Sequence, residues 1–344
     1  MVTLAVTYDT FLRTICNGMF FEKCLSFDMV KVNCYNLFTF TIHQLLTNGA
    51  NEMIKITTEL VCQLINSQFP EWNHLEIVPV EKSGHDNRTY RLGSQMTVRL
   101  PSHEHYASAV EKELAWLPIF KPLLSLPIPV PVAQGKPTNE YPLPWSVNRW
   151  IEGDTVTHAN VVDLNRFAED LAGFLKELEA IDASHGIPSG IQNFHRGGNL
   201  AVYDQDTRSV IDKLSGQYDQ KILTDIWELA LATKYQSAPL WLHGDVAVGN
   251  LLVRNGRLCG VIDFGTMGVG DPSSDLVMAW NYFDNESRGI FLDRMNFDQD
   301  TINRARGWAM WKALITYAWN EPSSEASNWG KHVIDVIIQD YKCL

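Results

Sequence analysis

The stretch from residue 241 to residue 280 limits the possible folds of this chain more than any other part of the sequence. Its main polar residues are, in order, His243, Asp245, Asn250 and Asp263. An Asn-Gly pair separates the apolar runs 251–253 and 258–262, and this pattern is typical of a tight hairpin. Because a hairpin returns the chain to where it started, we predict that Asn250 and Asp263 lie side by side at one end of it.

This arrangement suits phosphoryl transfer. Asn250 and Asp263 would present amide and carboxylate oxygens, which Mg²⁺ accepts together with phosphate oxygens and water. Asp245 precedes Asn250 in the sequence HGDVAVGN and can accept the proton of an attacking hydroxyl. Each short motif alone is weak evidence, because Asp also occurs in turns and helix caps. The joint spacing, with a hairpin between the last two residues, indicates kinase-type chemistry.

The sequence resembles the aminoglycoside phosphotransferase family in the segments HGDVAVGNLLV and GVIDFGTMGVGDPSSDLVMAW. The resemblance extends to SGHDNRTYRLG, MTVRLP, EKELAWLP and YPLPWSVNRWIEG, and it covers about residues 53–340. It implies an α+β, two-lobed, protein-kinase-like fold, with a strand-rich N-terminal lobe and a mostly helical C-terminal lobe. It also implies that ATP or GTP binds between the lobes and gives its terminal phosphate to a hydroxyl of a small molecule.

The resemblance also assigns roles to the motif residues. It implies that Asp245 is the catalytic base and that Asn250 and Asp263 hold Mg²⁺. His243 resembles the histidine that braces the catalytic loop in this family, a role close to that of an ordinary structural histidine.

A further pair is implied to bind the nucleotide phosphates. Arg99 stands where kinases place a phosphate-binding lysine, and arginine is a good bidentate phosphate ligand. We expect Glu113 to be its partner, with Glu111 as the alternative. A surface ion pair is the other interpretation of Arg99.

Two main-chain segments complete the implied nucleotide site. Ser83, Gly84, Asp86 and Asn87 resemble the loop over the nucleotide phosphates, whose backbone N–H groups would cradle them. With only one glycine in the turn, an ordinary hairpin turn explains this segment equally well. Residues 148–150, including Asn148 and Trp150, resemble the hinge that meets the base through main-chain groups.

The chain divides into three parts by its residue patterns. Residues 1–52 carry no sustained periodicity and form an N-terminal extension, or precede a natural start at Met53. Residues 53–150 are the predicted nucleotide-binding lobe, and residues 151–344 are the predicted catalytic and substrate lobe. Apolar patterns predict helices from about residue 54 and about residue 160.

The composition of the chain limits the classes of molecule that it is expected to bind. The net charge of −12 argues against nucleic acid or an anionic membrane as the main partner. The six cysteines show neither a zinc-binding nor a disulfide pattern, and no apolar run reaches the length of a membrane span. We therefore expect a cytoplasmic protein, whose oligomeric state the sequence does not indicate.

The acceptor is less defined than the chemistry. An aminoglycoside-like antibiotic is one candidate, because Asp284 and Glu286 could attract a cation, although a solvated helix end explains them better. The alternatives are a metabolic small-molecule kinase of the same fold and a catalytically silent nucleotide-binding protein. Asp271 and Asp275 are interpreted first as structural and second as orienting the catalytic loop. His195 is a minor candidate for the substrate loop.

Overall fold

The computed structural model describes residues 54–80 and 86–343. The predictions for residues 1–52 and for Ser83 and Gly84 lie outside the described residues. The division of the remaining chain at residue 150 stays a prediction.

The N-terminal lobe is built on a five-stranded antiparallel sheet. Its strands are β1 (Ile77–Pro79), β2 (Asn87–Leu92), β3 (Met96–Pro101), β4 (Pro131–Gly135) and β5 (Trp145–Arg149). Their order across the sheet is β1-β2-β3-β5-β4. This sheet agrees with the strand-rich N-terminal lobe that the family resemblance implied.

Helix α1 (Thr58–Gln68) covers one face of this sheet. It begins later than the apolar pattern predicted, because the side chain of Thr57 caps it by accepting a hydrogen bond from the backbone N–H of Leu60 over 3.3 Å. The buried side of α1 shares an apolar core with Val98 of β3 and Val147 of β5.

Helix α2 (Ala107–Phe120) lies against the opposite face. Successive side chains of a strand alternate between faces, so Arg99 points away from the core that Val98 enters. Glu113 of α2 meets Arg99 on that side. At its C-terminal end, α2 places Leu117 in the core of the other lobe, and the helix therefore contributes to both lobes.

The C-terminal lobe is mostly helical and encloses the larger core. Its helices are α3 (Leu164–Glu179), α4 (Asp204–Lys213), α5 (Gln220–Leu231), α6 (Met278–Asn281), α7 (Asn285–Met295), α8 (Gln299–Trp319) and α9 (Glu325–Lys342). The apolar stripe of α3 is buried as predicted, and the helix begins after Asp163, whose carboxylate caps it. Helix α8 is buried on most sides and packs against α4, α5 and α9.

Two small sheets position the motif residues. One contains β6 (Asp154–Thr155), β8 (Leu251–Arg254) and β9 (Arg257–Val261), and the other pairs β7 (Leu240–Leu242) with β10 (Gly268–Gly270). The predicted β8–β9 hairpin is present, and its turn residues Asn255 and Gly256 have positive φ angles of 55° and 78°. Among the described residues, short 3₁₀ turns lie at Pro70–Trp72, Glu104–Tyr106, Lys121–Leu123, Ile191–Asn193, Leu200–Tyr203, Val248–Asn250, Phe264–Thr266 and Pro272–Leu276.

The predicted α+β fold with two lobes is confirmed. Within residues 54–80 and 86–343, none of the helices has both the length and the apolar character needed to cross a bilayer.

Candidate active site

His243 anchors the loop that follows β7. Its ring is fully buried, and Nε2 lies 3.0 Å from the carbonyl oxygen of Ile262, while Nδ1 accepts a hydrogen bond from the backbone N–H of Asp245 over 3.2 Å. A neutral imidazole with its proton on Nε2 satisfies both contacts. The ring therefore ties the backbone at Asp245 to the end of strand β9.

Asp275 holds the same loop from the other side. Its two carboxylate oxygens accept hydrogen bonds from the backbone N–H groups of His243, over 2.6 Å, and Gly244, over 2.7 Å. Burial raises the pKa of Asp275, while His243 and these two backbone donors oppose the rise. Sequence reasoning preferred a purely structural role for Asp275, and the structure shows that it orients the loop before Asp245.

Asp271 acts differently. Its carboxylate caps the 3₁₀ turn at Ser273 and forms a buried ion pair with Arg304 over 2.7 Å. This matches the structural interpretation of Asp271.

Asp245 and Asn250 are bound to each other. The side-chain nitrogen of Asn250 donates to the backbone oxygen and to Oδ2 of Asp245, both over 2.9 Å. Asp245 is exposed to solvent, so its carboxylate is accessible from the cleft. Both contacts use the amide nitrogen of Asn250 and neither uses its amide oxygen.

The hairpin brings Asp263 back to Asn250, as the sequence predicted. The backbone N–H of Ile262 donates to the carbonyl oxygen of Asn250 over 2.9 Å. Asp263 then adopts a left-handed conformation with φ 65°. Such a backbone is uncommon outside glycine and is often found at functional sites.

Arg99 joins the two lobes at this point. Its guanidinium contacts both carboxylate oxygens of Glu113, over 2.9 and 3.0 Å, and Oδ1 of Asp263 over 2.8 Å. The side chains of Arg99 and Glu113 are only 12% and 5% exposed. The partner is thus Glu113 and not Glu111, and the interpretation as a surface ion pair was wrong.

The positive charge of Arg99 is compensated by the carboxylates of Glu113 and Asp263. Burial raises the pKa of Glu113, and the Arg99 guanidinium lowers it. Burial lowers the pKa of Arg99, but the carboxylates of Glu113 and Asp263 outweigh it and raise the pKa overall. The guanidinium stays charged and can meet phosphate oxygens.

The described part of the predicted phosphate loop faces the same cleft. Asp86 and Asn87 line it together with Asp245, Asp263 and Thr266. The described loop residues and the motif residues thus line one pocket.

The backbone of the predicted hinge, residues 148–150, forms hydrogen bonds with other residues of the N-terminal lobe. The backbone N–H groups of Arg149 and Trp150 donate to the carbonyls of Val130 and Gln95, over 3.0 and 2.9 Å. The fully buried amide of Asn148 has no hydrogen-bond partner among the described residues. The Trp150 ring lies 3.8 Å below the Arg91 guanidinium. Base recognition by Asn148 and Trp150 therefore stays a prediction.

Two cations near Asp245 were missed by sequence reasoning. The side chain of Arg196 donates from Nε to the carbonyl oxygen of Gly244 over 2.9 Å, and Lys312 of α8 acts electrostatically on the same region. Arg196 follows His195, which sequence reasoning did consider, in the segment FHRGGNL. An arginine directly before two glycines was the sequence signal that could have identified this residue.

The other acidic candidates lie in local contacts. Asp284 caps α7 by accepting from Ser287, and Glu286 accepts from Asn165 over 2.8 Å. Their interpretation as helix-end residues agrees with these contacts. His195 packs edge-on against the ring of Tyr203.

Comparison with known proteins finds similar sequences and similar folds. A sequence profile of the phosphotransferase enzyme family (APH) matches residues 76–313. An aminoglycoside 3'-phosphotransferase of Escherichia coli is 27% identical over 147 residues, which are 40% of this chain and 52% of that protein. The match thus spans about half the length of this curated relative.

Solved structures share the fold. The GDP complex of wild-type aminoglycoside 2'-phosphotransferase-IIIa matches with a TM-score of 0.62 and 19% identity, over 84% of this chain and 99% of that one. The streptomycin–ATP complex of APH(2")-IIa has a TM-score of 0.52 and 21% identity, over 83% and 97%. A macrolide 2'-phosphotransferase type I has a TM-score of 0.53 and 19% identity, over 83% and 97%.

Proposed function

Because this chain belongs to the phosphotransferase enzyme family, we propose that it transfers the terminal phosphate of ATP or GTP to a hydroxyl group of a small molecule. In this reaction the bond between the terminal phosphorus and its bridging oxygen breaks, and a bond to the acceptor oxygen forms. The nucleoside diphosphate leaves, and the hydroxyl proton passes to a base.

The observation that carries this proposal is the contact of Arg99 with both Glu113 and Asp263. It ties the sheet, α2 and the segment after β9 into one arrangement. Phosphoryl transfer requires positioning and charge compensation more than covalent chemistry from the protein. A buried, permanently charged guanidinium at this position supports phosphate binding by Arg99, in a nucleotide site that also includes Ser83, Gly84, Asp86 and Asn87.

Asp245 is the proposed base. Its carboxylate is accessible from the cleft, and its orientation is set by Asn250, which donates to Oδ2, and by His243, which holds the backbone. An ionised carboxylate in this place can accept the proton of a hydroxyl that attacks the phosphate.

Asn250 and Asp263 are the proposed holders of Mg²⁺. Mg²⁺ is commonly bound through one or two protein oxygens together with substrate phosphates and water, and Asn250 and Asp263 can supply one such oxygen each. When bound, the cation neutralises charge on the phosphate oxygens.

The acceptor belongs to this proposal as well. The similar proteins named above are phosphotransferases of aminoglycosides and macrolides, so an antibiotic is one candidate, and a metabolite with a hydroxyl is the other. A cytoplasmic location is proposed from the ordinary composition and the class of co-substrate.

Nucleotide turnover tests the proposed function. We expect Mg²⁺-dependent hydrolysis or transfer from ATP or GTP, measured by release of the nucleoside diphosphate. Asp245→Asn should reduce the rate by roughly 10²–10⁴-fold, because it keeps the shape but removes the base. Asp335→Asn, in an exposed ion pair with Lys331 on α9, is the matched control and should leave the rate unchanged. Full activity in Asp245→Asn would refute the assignment of the base, and no turnover with either nucleotide would favour a silent nucleotide-binding protein.

A further inference from the structure

An aromatic side chain of the helical lobe forms part of the pocket that contains Asp245. Phe194 lines this pocket together with Asp245, Asp263 and Thr266. The residue is 37% exposed. A single exposed apolar side chain needs no explanation in general, but this one shares a pocket with the proposed base. Pockets for small molecules are typically lined by apolar and aromatic side chains with a few polar groups among them.

The backbone at this ring has an uncommon conformation. Phe194 and the residue after it, His195, have positive φ angles of 52° and 56°. Residues other than glycine seldom adopt such angles, because their Cβ then crowds the backbone. A glycine at position 194 would give the loop the same shape without this cost. A phenylalanine there, despite the cost, indicates that its ring serves a purpose.

Hydrogen bonds hold the loop on both sides of Phe194. The carbonyl oxygen of Phe194 accepts a hydrogen bond from the hydroxyl of Tyr203 over 2.9 Å. The buried side chain of Asn193 accepts from the backbone N–H of Gly190 and donates to the carbonyl oxygen of Arg196, both over 3.0 Å. An unfavourable backbone conformation persists where surrounding contacts determine it in this way.

The same loop is attached to the catalytic loop. Arg196 stands two residues after Phe194, and its Nε donates to the carbonyl oxygen of Gly244 over 2.9 Å. Gly244 directly precedes Asp245. The aromatic ring and the carboxylate of the proposed base therefore belong to two loops that are bonded to each other, and the fold fixes their relative position.

A second aromatic side chain lies against the Phe194 ring. The ring centres of Phe194 and His105 are 5.4 Å apart, and the ring planes are inclined by 63°. His105 belongs to the turn that precedes α2, and it lines the same pocket, as does Tyr106. Aromatic rings attract further flat rings in offset or edge-on arrangements. Aromatic side chains from two separate segments thus border the space next to Asp245.

We propose that Phe194 binds a ring of the acceptor, so that the preferred acceptor presents a flat apolar ring face next to the hydroxyl that approaches Asp245. An aromatic ring and the carbon face of a sugar ring both have this chemistry. The proposal rests on the proposed function and narrows its substrate class. Phe194 is a specificity-determining residue, since it contacts the acceptor away from the reacting oxygen.

Binding of small ring compounds with the nucleotide site filled tests this proposal. The full chain is saturated with Mg²⁺ and a non-hydrolysable triphosphate analogue of whichever nucleotide it binds. Benzyl alcohol then represents an aromatic ring, and methyl β-galactopyranoside represents the face of a sugar. Butane-1,4-diol carries hydroxyl groups without a ring and is the control compound. Saturation-transfer NMR titrations measure the binding of each compound.

We expect saturable binding of at least one ring compound, and binding of the diol that is weaker by about tenfold or more. Phe194→Leu keeps an apolar side chain but removes the flat ring, and it should weaken ring binding by roughly three- to tenfold. Phe194→Trp should retain the binding. Ile191→Ala is the matched control, since Ile191 is an exposed apolar residue of the same loop that does not line the pocket.

Three results would overturn the proposal. The first is the absence of saturable binding of both ring compounds. The second is equal binding of them by Phe194→Leu. The third is equal weakening in Ile191→Ala, which would show that the compounds adsorb to exposed apolar surface and not to the pocket.

Phosphate transfer provides a second measurement. For each ring compound that accepts phosphate, Phe194→Leu should raise the acceptor KM by the same factor as it weakens binding, while the nucleotide KM stays unchanged. Phe194→Trp should restore the acceptor KM. A merely structural role would instead lower the temperature of thermal unfolding and change both KM values, because the loop is attached to the catalytic loop.

The two proposals fail in different ways. If the phosphotransferase function is wrong, Mg²⁺-dependent turnover will be absent whatever the titrations of ring compounds show. If only the ring contact is wrong, turnover will depend on Asp245 while Phe194→Leu leaves ring binding unchanged.

Discussion

The guanidinium of Arg99 donates a hydrogen bond to Oδ1 of Asp263 over 2.8 Å, so the central strand of one lobe is tied directly to the proposed metal-binding carboxylate of the other. The same guanidinium holds the buried carboxylate of Glu113. This one side chain therefore serves both the stability of the fold and the order of the site.

Removing Arg99 should destabilise the protein as well as weaken nucleotide binding. In Arg99→Met the carboxylate of Glu113 is left buried without its cation, and such a loss typically costs about 3–5 kcal/mol. Urea unfolding measures the free energy of unfolding, and nucleotide KM measures binding. The double variant Arg99→Met/Glu113→Leu should recover much of the stability but not the KM. A single variant as stable as the original chain would contradict this account.

Loss of Asp275 should misplace the catalytic loop. Asp275→Ala leaves the backbone N–H groups of His243 and Gly244 without acceptors in a buried place, at a cost of about 1–3 kcal/mol each. We expect a lower free energy of unfolding and a lower kcat, with a smaller change in nucleotide KM. Asp335→Ala, at a half-exposed position on α9, is the control. Unchanged kcat in a folded Asp275→Ala variant would show that the loop does not need this carboxylate.

Gly244 should not tolerate a side chain. Its φ is +83°, and an added Cβ would lie 2.6 Å from the carbonyl oxygen of Thr266. Gly244→Ala should cost more than about 1 kcal/mol in stability and reduce turnover, because Asp245 follows directly. Gly173→Ala, in α3 with open space around it, should instead be neutral or stabilise by up to about 1 kcal/mol. Thermal unfolding compares the two, and equal effects would refute the role given to the backbone of Gly244.

Glu179 should make stability depend on pH. Burial raises the pKa of its carboxyl from 4.5 to about 7, with Asp275 adding to the rise and Lys176 opposing it. The folded protein then holds a proton that the unfolded chain releases, so this group lowers stability as pH rises from about 4.5 to about 7. Glu179→Gln should be more stable than the original chain at pH 8, by roughly 2–3 kcal/mol.

That advantage of Glu179→Gln should shrink as the pH falls toward 4.5, where the carboxyl is protonated in both states. Urea unfolding across this range measures it. A constant difference at all pH values, or a variant that is less stable at pH 8, would contradict the raised pKa.

The geometry of the proposed metal site was accessible to sequence reasoning because it depends on local structure. An Asn-Gly turn between two apolar runs encodes a hairpin, and a hairpin alone brings Asn250 beside the backbone of Ile262, next to Asp263. The choice of Glu113 over Glu111 came from the family resemblance, and the structure confirms it because the Glu113 side chain contacts Arg99 of the sheet.

Contacts between distant parts of the chain were harder to predict. For Asp275, orientation of the catalytic loop was only the second interpretation. Arg196 and Lys312 were not considered at all. Nothing in the sequence near these residues shows which loop they will contact. Arg196 reaches Gly244 only after the segment at 190–199 packs against the catalytic loop, with Trp308 and Trp311 of α8 beneath it.

The sequence by itself determined the family, the α+β fold and the motif residues that the proposed chemistry requires. These follow from short-range spacing, turn residues and periodic burial, all of which act between near neighbours along the chain. The tertiary structure decided which buried charges face one another around Asp245. Packing of helix α8 against the turn Pro272–Leu276 and against Arg196 sets those pairings. The free energy of a buried charge depends on every element that surrounds it.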